Sequence, residues 1–400
     1  MTEETKPDFT HGVDRAGSDC VKFDARAARF GRDDVIPLWV ADMDFAAPAA
    51  VQHALKARAE HPVYGYAIYP PDFYSAIQNW LATHHRWSVD TKSIVPLPGV
   101  VPTLSLLVHM FSQPGDGVLV QTPVYPPIQQ MPVSHHRQLL ENTLRCTTEG
   151  YEIDWDDFKA KVRQARLFIL CSPHNPVGRV WRNDELVRMA EICIDAGVLI
   201  LVDEIHADLA YEPNRHIPIA SLSPEIAANC ITLNAPSKTF NIAGLNTSFA
   251  VVENPDLRHR LQEGIVNAGL GSGNVFGITA LIAAYQSGAD WLSALMNQLK
   301  ENRDRACRFF EMEDLGIDVK TPEATFLLWL DCRELMQKLG LKDDDALSSF
   351  FVEQAGLGLN PGISFGQAGS GFMRLNIGCS PDTLVRSLDQ LKKAISSAGT

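Results

Sequence analysis

Residues 233–246 read LNAPSKTFNIAGLN, and the lysine among them, Lys238, decides how the rest of the chain is read. It follows a short apolar run, residues 230–233, whose length and bounds fit a buried strand. The residues around it, Ala235, Pro236, Ser237 and Thr239, are small or turn-prone. A lysine on the loop leaving such a strand is held at the mouth of a pocket rather than on a solvated face. A lone lysine usually does no more than solvate a surface, so this reading needs support from elsewhere. Two upstream stretches supply it: residues 171–178 (CSPHNPVG) and 199–208 (LILVDEIHAD), each an apolar strand ending in polar residues.

Around these stretches, strands and helices alternate. Strands are predicted at 94–97, 117–121, near 138–140, and at 165–171, 198–202, 230–233 and 248–252. Helices are predicted at 48–60, 73–84, from 98–103 through 109, near 155–162, at 183–196 and at 224–229. Such alternation implies a mostly parallel sheet covered on both faces. Ligands of such sheets sit beyond the carboxyl ends of the strands, and Asn175, Asp203 and Lys238 all fall just past one. From residue 255 helices dominate to about 313, with a long one from 291. Then come a strand at 324–331, a helix at 345–354, a strand at 371–377 and a terminal helix at 380–397. The expected fold class is α/β. A large domain, 48–288, carries the mostly parallel sheet, and a smaller α+β domain covers 289–400. Residues 1–47 form an N-terminal arm that joins the small domain.

Four further segments carry candidate chemistry. Residues 98–103 (PGVVPT) place a glycine turn and a free helix start after a strand, so the N–H groups at Gly99, Val100 and Val101 converge on an anion site. Residues 122–127 (TPVYPP) hold Tyr125 on a rigid, proline-flanked loop. Residues 61–71 (HPVYGYAIYPP) form an aromatic loop, of a kind that packs on a neighbouring surface; a second subunit would provide one. In residues 36–45 (IPLWVADMDF), Asp42 and Asp44 serve either as turn and cap chemistry before the next helix or at the pocket mouth.

Composition narrows the class. The chain has 400 residues, 46% hydrophobic and 21% charged, enough for a large core and two domains. Its net charge of −13 without a basic block argues against nucleic acid as a partner. None of the eight cysteines forms a CxxC pair, and several lie in apolar runs as buried thiols. No apolar stretch approaches the roughly 20 residues of a membrane span. The polar N-terminus lacks the apolar core of a secretory signal. A reducing cytoplasm is the expected compartment.

The order of the asparagine in HNPVG, the aspartate at a strand end and the SK lysine resembles the pyridoxal-phosphate (PLP) site of the fold-type I aminotransferase superfamily, from about Asp14 to the C-terminus. The resemblance implies PLP as cofactor, and PLP asks four things of a protein. Lys238, with Ser237 beside it, would hold the aldehyde and act as base. Asp203 would keep the pyridine nitrogen protonated. Asn175 would face the ring hydroxyl, and the backbone at 99–101 would hold the phosphate. The same resemblance has Tyr125 and Ile205 flanking the ring, with His206 where many aminotransferases have a tyrosine. It assigns Tyr66 to the phosphate of a neighbouring subunit, which implies a homodimer with shared sites. Arg374, in FMRLNIG, would grip the substrate α-carboxylate bidentately, with Ala41 on the same substrate side.

Two departures set the branch. Aminotransferases place a serine three residues before the lysine and an arginine eight after it, both on the phosphate; here those positions are Ala235 and Asn246. SKTFNIAGLN, DRAGSDCVKFD, LWVADMDF and DEIHADL together resemble the MalY/PatB-type C–S lyases. What that branch implies is β-elimination: an L-amino acid with sulfur at Cβ, such as L-cystathionine or a related cysteine S-conjugate, yields a thiol, pyruvate and ammonia. An aminotransferase is the rival reading, sharing the steps up to the carbanion. A PLP-fold regulatory protein is a third, against which the short acidic N-terminus speaks.

Overall fold

The computed structural model describes residues 7–398. Its centre is a seven-stranded sheet. The strands are β1 (Ile94–Leu97), β2 (Gly117–Thr122), β3 (Gln138–Thr143), β4 (Ala165–Cys171), β5 (Leu199–Asp203), β6 (Cys230–Asn234) and β7 (Ser248–Val251). They lie in the order β1-β7-β6-β5-β4-β2-β3. All neighbours pair parallel except at β7, which runs antiparallel to both β1 and β6. Alternate residues feed two cores: Val118, Val120, Leu167, Ile169 and Leu201 pack on one face, and Leu119, Phe168, Leu170, Ile200 and Val202 on the other. Strands buried on both faces must read as apolar runs rather than alternate with polar residues, which is why these segments stand out in the sequence.

A second, four-stranded antiparallel sheet comprises β8 (Asp318–Val319), β9 (Leu327–Asp331), β10 (Asn360–Pro361) and β11 (Phe372–Asn376), in the order β8-β9-β11-β10. The N-terminal segment reaches this half of the molecule: Ile36–Pro37 pairs parallel with Leu357–Gly358. The two halves meet again at residues 322–325. The Gly178 carbonyl accepts from the amides of Glu323 and Ala324 (2.9 and 3.0 Å), and the Tyr211 hydroxyl donates to the Thr325 carbonyl (2.7 Å). The loops following Asn175 and Asp203 are thereby fastened to one short segment.

The fold is the α/β arrangement expected, with local differences. Pro126–Ser134 is a helix that begins at the prolines of TPVYPP; proline suits a first turn, where its missing N–H costs nothing, but here it masked the helix. The helix expected at 345–354 is split into an α segment, Asp344–Ser349, and a π turn, Phe350–Gln354. Among the described residues, no helix is long and apolar enough to cross a membrane.

Candidate active site

The carboxyl ends of β4, β5 and β6, the start of helix Val100–Phe111, and the 38–45 segment enclose a pocket of about 180 Å³. Gly99, Val100, Val101, Tyr125, Asn175, Asp203, His206, Ser237, Lys238 and Ala41 all line it, as do Ile205, Ala235 and Asn246. Nearly all the residues singled out in the sequence therefore converge. Tyr66 does not: it is fully exposed and lies outside the pocket of its own chain. Arg374 comes from β11 of the small sheet and reaches the site through Asn175.

Lys238 is partly buried and donates from Nζ to the Ala41 carbonyl at 2.7 Å. Burial pushes its pKa down to about 8; the charges of Asp42 and Asp203 work against that, and Arg374 adds to it. A lysine amine is thus brought within reach of neutrality, the state in which it is nucleophile and base. Asp203 ends β5, is 5% exposed, and accepts from the Ile205 amide at 3.1 Å. Burial lifts it to about 6, although the Ile205 amide and the Lys238 charge pull the other way. His206 is buried with no partner at Nδ1, and burial, helped by the charges of Lys238 and Arg374, drops it to about 3, so the ring is neutral.

Arg374 is 4% exposed. One terminal nitrogen donates to Asn175 Oδ1 (3.1 Å), the other to the Trp39 carbonyl (3.0 Å) and Asn360 Oδ1 (2.8 Å), and Nε has no partner. Its guanidinium stands 4.8 Å from the Phe365 ring centroid. Burial lowers its pKa to about 10, so it stays charged at neutral pH. Gly99 precedes the helix, and a Cβ there would come within 3.2 Å of Pro102. Val100 and Val101 line the pocket at a helix start that no side chain caps, where the first backbone N–H groups have no partner within the helix.

The 38–45 segment is held as a strap across the site by residues that the sequence reading did not single out. Asn241, three residues past Lys238, accepts from the Met43 amide (2.9 Å) and donates to the carbonyls of Met43 (2.8 Å) and Phe45 (2.7 Å). Asn376 donates to the carbonyls of Val40 and Asp42, both at 2.6 Å. Asn241 adopts a positive φ of 57°, which asparagine tolerates better than most residues; the NIAG turn was the available signal. Asp42 and Asp44 do not cap the next helix, whose N-cap is Pro48 with no side-chain bond. Instead Arg15 pairs with Asp42 (2.7 Å) and Asp44 (3.0 Å), and the fully buried Lys22 pairs with Asp44 (2.8 Å). The DRAGSDCVKFD and LWVADMDF motifs are thus one charge cluster that fixes the Ala41 carbonyl opposite Lys238. Ala243, Pro102 and Cys171, which lie inside the quoted segments but were given no role there, also line the pocket, as does Thr247, which had no distinguishing signal in the sequence.

The chain is 40% identical over 390 residues to cystathionine beta-lyase PatB of Bacillus subtilis (strain 168), covering 97% of this chain and 100% of that one. It is 34% identical over 392 residues to protein MalY of Escherichia coli (strain K12), covering 97% and 98%. Among solved structures, the PLP-bound C-S lyase from Staphylococcus hominis superposes with a TM-score of 0.92 at 29% identity, covering 98% of each chain. The sequence model of the aminotransferase class I and II family matches residues 33–391. With a match of that extent, and with the pocket at the strand ends where this fold places its ligands, the chain belongs to the aminotransferase class I and II family.

Proposed function

We propose that this protein is a PLP-dependent carbon–sulfur β-lyase that takes L-cystathionine or related cysteine S-conjugates to a thiol, pyruvate and ammonia. The observation that carries it is one pocket lined by a lysine amine of lowered pKa and a buried carboxylate, with a buried guanidinium, free at Nε, joined to it through Asn175. The relatives named cystathionine beta-lyase and C-S lyase select elimination over amino transfer. The residues also suit the cofactor. Asp203, a buried acid held up near 6, is answered by a cationic ring nitrogen. The uncapped amides at Val100 and Val101 suit a phosphate. Asn175 is committed through Oδ1 to Arg374, and its amide group is available to a ring hydroxyl.

PLP, when bound, supplies an electron sink for the carbanion at the substrate Cα. The protein's own groups do the rest. Arg374 binds the α-carboxylate and so fixes which bond at Cα is presented. Lys238 Nζ removes the Cα proton, helped by a pKa close to the working pH. Asp203 would face the ring nitrogen and keep it protonated. The sulfur leaves from Cβ and takes up a proton as the thiol; water completes the conversion to pyruvate and ammonium. His206, neutral at any working pH, contributes a hydrogen-bonding edge without a competing charge. Ser237 and Tyr125 complete the cofactor's surroundings, and the Ala41 carbonyl marks the substrate side.

Tyr66 belongs to this reading as a residue lent to a second copy. Its complete exposure, beside exposed Val63, Tyr64 and Ile68, supports a homodimer with shared sites. The domain division at 1–47, 48–288 and 289–400 is supported by the pairing of residues 36–37 with 357–358. All eight cysteines are free, which favours the cytoplasm. The test is to incubate the loaded enzyme with L-cystathionine or L-cysteine without any keto acid and to assay pyruvate and thiol. Stoichiometric release of both supports the lyase. Amino transfer that requires a keto acid, with no thiol released, would make it an aminotransferase.

A further inference from the structure

The last acid of DEIHADL, Asp208, lies outside the pocket and has no part in the chemistry above. Its side chain is 3% exposed, yet it is ionised and fully engaged. Oδ1 accepts from His85 Nε2 (2.7 Å) and Trp80 Nε1 (3.0 Å), and Oδ2 accepts from the Thr239 hydroxyl (2.7 Å). Thr239 is 1% exposed and is the residue next to Lys238. Asp208 itself sits in the short turn Ala207–Leu209, whose Leu209 amide donates to the carbonyl of His206. One carboxylate therefore joins three elements: the loop that carries Asp203 and His206, the turn that carries Lys238, and the end of helix Pro71–His85.

The pair is built to stay charged. Burial by itself would raise Asp208, but His85, Thr239 and Trp80 bring it below the ordinary carboxylate range. Burial likewise works against a charged His85; the hydrogen bond and charge of Asp208, with Glu204 behind, outweigh it and raise His85. Glu204 and His216 stand 3.2 Å apart in the same interior, and the His216 ring centroid is 5.6 Å from that of His85. Arg215, His84 and Tyr285 are further titratable groups that feel the pair. A buried ion pair is weak evidence for stability, because desolvation offsets its attraction. A neutral, apolar contact would hold the helix as well. What the carboxylate adds is direction: it fixes the turn at Thr239, while Asn241 two residues on clamps the same turn to the 38–45 strap.

We infer that Asp208 is a positioning residue for the reaction, setting the Lys238 amine against the substrate by anchoring the neighbouring Thr239 hydroxyl. The inference rests on Lys238 being the reactive amine, as proposed above. Asp208→Asn would leave a buried His85 without its counter-charge and would test folding as much as positioning, so the partner is changed instead. Thr239→Val keeps the shape and removes the hydroxyl; Thr239→Ser restores it. In thiol release from L-cystathionine by the loaded enzyme, Thr239→Val should lose about 10- to 100-fold in kcat, the scale of a misplaced reacting group. KM should stay within about twofold, and Thr239→Ser should recover most of the loss. In the cofactor-free protein, the pH midpoint at which Lys238 reacts with a simple aldehyde should rise in Thr239→Val above the parent's value near 8. The inference is overturned if Thr239→Val matches the parent in kcat and midpoint, or if Thr239→Ser falls as far as Thr239→Val. Lys238→Ala, run alongside, separates the two levels: if it retains turnover, the proposed reaction itself is wrong; if it is inactive, any failure belongs to Asp208 alone.

Discussion

Replacing Asp203 with asparagine should stabilise the cofactor-free protein and disable the loaded enzyme. Without a cofactor, the Asp203 carboxylate is buried at the end of β5 with an amide donor from Ile205. Burial lifts its pKa from 3.8 to about 6. An acid raised in the folded state binds more protons folded than unfolded between those two values. Stability therefore falls as pH rises through that window and stays lower above it. The displacement corresponds to about 3 kcal/mol at neutral pH. Asparagine is close in shape, can still accept from Ile205, and carries no charge to desolvate. Thermal melts of the cofactor-free proteins between pH 4 and 8 should show Asp203→Asn above the parent at pH 8, with the gap closing towards pH 4. Adding PLP should reverse the order, because the amide cannot hold the ring-nitrogen proton, and pyruvate formation should collapse. A variant less stable than the parent at pH 8 without PLP, or a gap that does not change with pH, would refute the argument.

Other substitutions probe other parts of the site. Lys238→Ala should cut pyruvate formation at least about 10²- to 10⁴-fold, the usual contribution of a general base, while the protein still binds PLP weakly. Arg374→Lys keeps the charge but loses the fork; a charged hydrogen bond of about 1.5–3 kcal/mol translates into a KM raised roughly 10- to 100-fold, with near-parental folding by circular dichroism. Gly178→Ala should lower the melting temperature. Gly178 has φ +73°, and a Cβ there would collide with Pro322 and come within 3.1 Å of the Ala324 carbonyl. An unchanged melting temperature would mean that the two halves are not held together at this contact.

Much of this could be read from sequence because the large sheet is buried on both faces. Its strands show as apolar runs, and the polar residues at or just past their ends, Asn175, Asp203 and Lys238, mark the ligand side. The weak signals were those that depend on distant partners. Asn241 and Asn376 look like ordinary turn and strand residues until the 38–45 backbone is laid between them. Asp42 and Asp44 read either as turn and cap acids or as groups at the pocket mouth; only the fold brings Arg15 and the buried Lys22 to them. Short strands such as β8 and β10, two residues each, carry no periodicity to detect. Asp208 was visible as part of a motif, but its role lies in contacts with residues 80, 85 and 239, which no local pattern connects.

The most direct measurement is chemical. The purified, PLP-loaded protein is treated with borohydride, digested, and the peptide bearing the reduced cofactor is identified by mass spectrometry. The account predicts that a single peptide spanning residues 233–246 carries it, attached to Lys238, and that the yellow colour is lost on reduction. A colourless protein that takes up no PLP, or a label attached to a different lysine, would contradict it.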